Sequence, residues 1–193
     1  MEEFEELEEP QPAPDAGLKD LILEIAKTVI LAAIIFGLVS WLTVRVRVEK
    51  ISMMPTLQEG ELALVYKMAY EWGKPMRGDV VIFPHQTGTV TEDYVKRVIG
   101  LPGDNVEIKA GELYINGSLV KEPYIKEPMR YEGTWHVPPD NLFVLGDNRN
   151  HSLDSHDWGY VPLDIVVGRA VLVYWPLTEA KMLPHRDITA PAQ

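Results

Sequence analysis

Between Thr28 and Val44 there are 17 consecutive residues without a charge. Wound as an α-helix they would span about 26 Å, close to the lower limit for crossing a bilayer. Apolar residues carry the run back to Leu21, so a tilted helix within 18–44 is predicted to span the membrane. Trp41 falls near one end, where an interfacial aromatic is expected. The lead-in is acidic rather than basic, and Arg45-Val46-Arg47 follows the apolar run in place of a small-residue cleavage site. Both features predict a retained anchor instead of a cleaved targeting segment.

After residue 45 the period changes. Short apolar runs alternate with Gly, Pro, Asn and Asp: Glu61–Tyr66, Asp79–Phe83, Tyr94–Ile99, Asn105–Ile108, Glu112–Ile115, Asn141–Leu145 and Val166–Tyr174. Runs of this length between turn residues predict strands, so the fold class is mainly β. Asn116-Gly117 between two such runs predicts a tight hairpin, which also accounts for the glycosylation-like triplet Asn116-Gly117-Ser118.

Composition adds three limits. Net charge is −11, and residues 1–20 hold eight acids against Lys19 alone. Residues 1–17 are acidic and proline-rich and are expected to form a disordered tail. An acidic chain without a basic stripe is a poor nucleic-acid binder. There is no cysteine, which excludes disulfides, thiolate metal sites and a Cys nucleophile. The positive-inside rule leans weakly towards a cytoplasmic C-terminal side, since Arg45, Arg47 and Lys50 follow the helix while Lys19 and Lys27 precede or enter it.

For chemistry, the five histidines are scattered and no HExxH motif occurs. His151 and His156 form a pair with no third ligand in view, which is usually a surface polar pair, and a triad assembled across the chain stays open, although His151, Ser152 and Asp154 are neighbours in a loop and such neighbours seldom meet in triad geometry. Three segments carry more. In Ile51-Ser52-Met53-Met54-Pro55-Thr56-Leu57 a serine precedes a proline that biases Met54 to extended backbone. In Asp93-Tyr94-Val95-Lys96-Arg97-Val98-Ile99, strand alternation sets Lys96 on one face and Arg97 on the other, so one base must point with the apolar side chains. A lysine drawn inward loses its proton more readily and becomes a general base. The segment from Gly146 to Asp157 is a dense polar loop suited to a self-satisfied hydrogen-bond network.

Together these segments resemble the type I (leader) signal peptidases. SMMPTL resembles the nucleophile box of that family, YVKRVIGLPGD its lysine box and GDNRNHSLDS its third box, in the same order behind a membrane anchor, and GRAVLVYWP fits near the end. The resemblance covers roughly residues 18–176 and implies a membrane-bound serine endopeptidase that removes signal peptides after Ala-x-Ala-like sites. It implies Ser52 as nucleophile, Lys96 as general base and Ser152 as the partner orienting the lysine. It implies Asp147, Arg149 and Asp154 as supports, and Val46, Val48, Met53, Leu57, Tyr94 and Val95 around the substrate.

The family fold is an antiparallel β catalytic domain shared with the self-cleaving repressors. It implies a core of 45–104 and 141–176, a smaller β cap insertion over 105–140 and a tail over 177–193. It also implies an N-terminus inside the cell and a catalytic domain outside, against the weak charge lean. The expected partners are preproteins and the lipid bilayer; no metal, cofactor or nucleic acid is required.

Two positions depart from the family pattern. Lys50 stands where Gly or Ser is usual, and His156 ends a motif that often ends in Arg. The rivals are a self-cleaving repressor, which would need a DNA-binding motif in place of the anchor, and a tethered binding domain, which would not need both Ser52 and Lys96.

Overall fold

A computed structural model describes residues 17–71, 73–183 and 188. The predicted tail at 1–17 lies, except for Gly17, outside the described residues. The chain divides into two units, one ending at Trp41 and one beginning at Leu42.

Apart from Gly17, the described part of the first unit is helix α1, Leu18–Leu42, all but its last residue. No residue along it is buried, and its apolar stretch has a mean hydropathy of 2.3, enough to cross a membrane by length and composition. Its charged pair, Lys27 and Glu24, lies ahead of the uncharged stretch. The helix stops two residues short of the predicted end. Thr43-Val44-Arg45-Val46-Arg47 alternates β-branched and long polar side chains, and that pattern is used in strand pairing instead.

The second unit is antiparallel β. Its strands are β1 (Thr43–Arg47), β2 (Leu62–Tyr66), β3 (Val80–Thr87), β4 (Val90–Gly100), β5 (Asn105–Lys109), β6 (Glu112–Ile115), β7 (Ser118–Val120), β8 (Gly133–His136), β9 (Asn141–Leu145), β10 (Val161–Pro162), β11 (Gly168–Trp175) and β12 (Lys181–Met182). The larger sheet runs β1-β2-β11-β3-β4-β9-β10, with β12 added on β11; the smaller runs β7-β6-β5-β8. β3 and β4 are longer than their apolar runs, because the polar stretch 84–93 continues the ladder through a hairpin. The predicted Asn116-Gly117 turn is present, with φ of 53° and 81° at its two residues, the positive pair that a two-residue hairpin demands.

The smaller sheet occupies the predicted insertion and does not stand apart. Val106, Ile108, Leu113 and Ile115 share one buried cluster with Ile99, Phe143 and Leu145 of the larger sheet. The segment read as a C-terminal tail is also partly structured. β12 pairs with β11, Lys181 bonds the buried Glu61 at 2.8 Å, and Ile188 is buried in the insertion's cluster. Its apolar residues are too few and too spaced by polar ones to read as a strand.

Both faces of β4 are covered. Tyr94 and Val98 enter a cluster with Phe83 and Val144, while Ile99 enters the cluster of the insertion. The alternation argument allowed one buried base; the structure buries two, Lys96 and Arg97, each given a polar partner by the loop after β9.

Candidate active site

Ser52 lies in a single 3-10 turn, Ile51–Met53. Met53 and Leu57 on either side of Pro55 are buried in one apolar cluster with Val48 and Val65. Burying each such side chain contributes roughly 1.5–3 kcal/mol, which fixes the turn between β1 and β2. Met54 is extended, as the following proline dictates. The loop after β9 grips the same turn. The Asn148 amide donates to the Ser52 carbonyl at 2.9 Å, and the Asn148 side chain donates to the Ile51 carbonyl at 3.2 Å.

Lys96 lies on β4 opposite Val81 and is 3% exposed. Its ammonium donates to Ser152 Oγ at 2.9 Å and stands 5.4 Å from the centre of the Tyr94 ring. Burial lowers its pKa from 10.5 to about 8; Asp154 opposes that fall, and Lys50 assists it. Ser52 and Lys96 line one cleft of about 730 Å³. Arg45–Met53 and Glu92–Lys96 line it, together with His151 and Leu153. Val46, Val48, Met53, Tyr94 and Val95 all line this cleft. Leu57 does not: it is fully buried in the core, packed with Met53 beside the Ser52 turn.

The supporting loop is anchored through buried charges. Asp147 takes two hydrogen bonds from Arg97, at 2.7 and 2.6 Å, and both side chains are all but inaccessible. Arg149 donates to the Gly146 carbonyl and makes a two-fold ion pair with Glu122 of the insertion. The Tyr124 ring lies against both guanidinium groups, at 4.3 and 5.9 Å. Asp154 accepts the Gly146 amide at 2.9 Å and caps the short helix α2, Ser155–Trp158. His156, in the place of the usual Arg, keeps contact with Asp154 at 2.6 Å and stacks on Tyr131 at 3.8 Å. Burial lowers its pKa, but the Asp154 bond outweighs this and the net shift is upward.

Asp154, His156 and Asp157 also lie close enough to ligate a cation. The His156 contacts to both acids and the α2 capping box account for that grouping without one. Ser152 is engaged by Lys96 and Asp154 by Gly146 and His156, so no local His151–Ser152–Asp154 triad is assembled.

Gly146 marks how tightly these parts meet. A Cβ there would overlap Ser152 Oγ and approach the Ser52 carbonyl oxygen to 2.5 Å. Gly146→Ala is therefore expected to cost about 1–3 kcal/mol by overpacking and to displace Ser152 from Lys96. The expected result is a more than tenfold fall in kcat, with a lower melting temperature measured in parallel.

Sequence reasoning missed Glu122, Tyr124, Gly146 and Asn148. Glu122 and Tyr124 lie in the insertion, and no spacing links them to the three segments. Gly146 and Asn148 sit inside the third segment, where the strand-to-loop transition was the available signal.

A model described as "Signal peptidase, peptidase S26" matches residues 22–175. Signal peptidase I of Leptolyngbya laminosa is 40% identical over 174 residues, covering 86% of this chain and 84% of that one. A probable signal peptidase I-2 of Synechocystis sp. is 38% identical, covering 83% and 77%. Signal peptidase I of Bacillus caldolyticus is 41% identical, covering 68% and 79%. A crystal structure of a signal peptidase I from Enterococcus faecalis aligns at 35% identity and a TM-score of 0.45, over 50% of this chain and 96% of that one.

Proposed function

The chain belongs to the signal peptidase family, peptidase S26, and from that premise we propose that Ser52 and Lys96 are the nucleophile and general base of its peptide-bond hydrolysis. The protein is a serine peptidase that removes signal peptides. The observation that carries the residue assignment is a buried lysine, held at 2.9 Å by Ser152, in the cleft that Ser52 also lines.

The steps follow from this arrangement. Ser52 Oγ attacks the scissile carbonyl carbon while its proton passes to the neutral Lys96 amine. The Ser52 backbone N–H faces the developing oxyanion. Collapse of the tetrahedral species breaks the C–N bond, and Lys96 returns the proton to the leaving amine, the new N-terminus of the mature protein. A water then attacks the acyl ester and gives a proton to Lys96; collapse of the second tetrahedral species breaks the ester C–O bond, Lys96 returns that proton to Ser52 Oγ, and the released signal-peptide acid ionises to its carboxylate in solvent. Lys96 must be neutral at the outset. The acidic limb of the kcat/KM profile is thus expected near pH 8, falling about tenfold per unit below it.

The substrate lies extended along the cleft beside β1 and β4 and is read by shallow apolar pockets formed by Val46, Val48, Met53, Tyr94 and Val95. The units are an anchor over 18–42, a catalytic core built from 43–104 and 141–183, and the insertion over 105–140. The anchor spans the plasma membrane once, with the N-terminus cytoplasmic and the β unit outside, where preproteins emerge. The test uses the full chain in detergent with a preprotein carrying Ala at the first and third positions before the cut. Sequencing should find a new N-terminus directly after that site, and bulky residues at either position should abolish the cut. A cut that ignores both positions would refute the pocket assignment. Protease added outside intact cells should digest the β unit; full protection would reverse the orientation.

A further inference from the structure

Lys50 lines the cleft two residues before Ser52, and its ammonium is bonded to the carboxylate of Glu92, which lines the cleft from the strand that carries Lys96. Both side chains remain accessible, 61% and 44% exposed. Glu92, Tyr94 and Lys96 alternate along β4 and share a face. The Tyr94 ring has Lys50 Nζ at 5.0 Å and Lys96 Nζ at 5.4 Å from its centre. Two ammonium groups are therefore gathered on one aromatic ring, at most about 10 Å apart.

The charges around Lys96 are unequal. From the loop after β9 and from α2, Asp147, Asp154 and Asp157 all favour a proton on it. His85 on β3 and His156 on α2 interact with it as cations only when protonated. Arg97 and Arg149 are buried in pairs with Asp147 and Glu122, whereas Glu92, on the same face as Lys96, pairs with Lys50 at the cleft rim, where both stay open to water. Arg45 and Arg47 line the cleft on β1, and Glu49 faces Lys50.

Resting on the Ser52–Lys96 assignment, we propose that Lys50 is a positioning residue for the dyad: tethered beside the Tyr94 ring by Glu92, its fixed positive charge repels a proton from Lys96 and keeps the base in its free-amine form. The same repulsion figures among the causes that depress the Lys96 pKa, behind burial and opposed by Asp154. This gives a task to the residue that replaces the usual Gly or Ser two positions before the nucleophile.

The test is the pH dependence of kcat/KM for preprotein cleavage by the full chain in detergent, for wild type, Lys50→Gln and Lys50→Arg, at low and high salt. Lys50 is exposed and bonded only at the surface, so both variants should fold. Lys50→Gln is expected to move the acidic limb up by about half a pH unit at low ionic strength, because two charges at this separation interact weakly but measurably. The shift should shrink in 0.5 M salt, where the Debye length falls to roughly 4 Å. Lys50→Arg should keep the wild-type limb. Superimposed limbs for wild type and Lys50→Gln at low salt would overturn the proposal, as would equal shifts in Gln and Arg variants. Lys96→Ala, run alongside, separates the two levels. An active Lys96→Ala enzyme removes the dyad itself, whereas an inactive one with an unshifted Lys50→Gln limb removes only the role of Lys50.

Discussion

Lys96→Ala is expected to lower kcat by 10³-fold or more while leaving the protein folded. A general base contributes about 10²–10⁴-fold, and without it the Ser52 hydroxyl remains a weak nucleophile at neutral pH. The fold should tolerate the change. The lysine side chain is buried and bonded to one neutral hydroxyl, so its removal leaves no charge unpaired. Lys96→Arg should be as inactive, because a guanidinium stays protonated throughout the accessible pH range. Substrate affinity should change little, since the pockets assigned to the substrate lie on Val46, Val48 and Met53 as well as on β4. The measurement is initial cleavage rate against substrate concentration, with circular dichroism confirming the fold.

Asp147→Ala is expected to act through stability. It leaves the Arg97 guanidinium, 1% exposed, with one backbone carbonyl, a long contact to Thr56 and the Tyr124 ring, and no carboxylate bonded to it. Breaking a buried pair on one side costs about 3–5 kcal/mol, because the orphaned charge has lost its water and its partner. For a domain of this size that corresponds to a fall in melting temperature on the order of 10 °C. Thermal unfolding of the detergent-solubilised protein reads it directly. Activity should fall as well, since Asp147 begins the loop that places Asn148 on the Ser52 carbonyl and Ser152 on Lys96. A melting point within 1–2 °C of wild type would show that the pair is not holding the loop.

The anchor, the mainly β class and the Asn116-Gly117 hairpin were legible because each rests on a local period or a turn that few residues can make. The sequence reading also selected the three segments that meet in the structure, and the resemblance supplied the roles proposed for them. What escaped it was long-range. Arg97 was weighed only as the alternative to Lys96, because alternation cannot foresee a sheet covered on both faces. Glu122 is 27 residues from Arg149, in the loop between β7 and β8, and only the shared core of the insertion and the larger sheet brings them together. Leu57 was assigned to the cleft by its place in the box; its neighbours Met53 and Val48 show that the same spacing also serves packing. The helix end shifted from 44 to 42 because the Thr43–Arg47 alternation finds a partner in β2, a contact no local window contains.

The most direct test of the central claim compares wild type with Ser52→Ala on one preprotein, in equal amounts, with product mass and new N-terminus determined at matched times. Wild type should release a mature protein cut after an Ala-x-Ala-like site, while the variant, folded to the same melting temperature, should release none. The same cut made by Ser52→Ala at a comparable rate would contradict it.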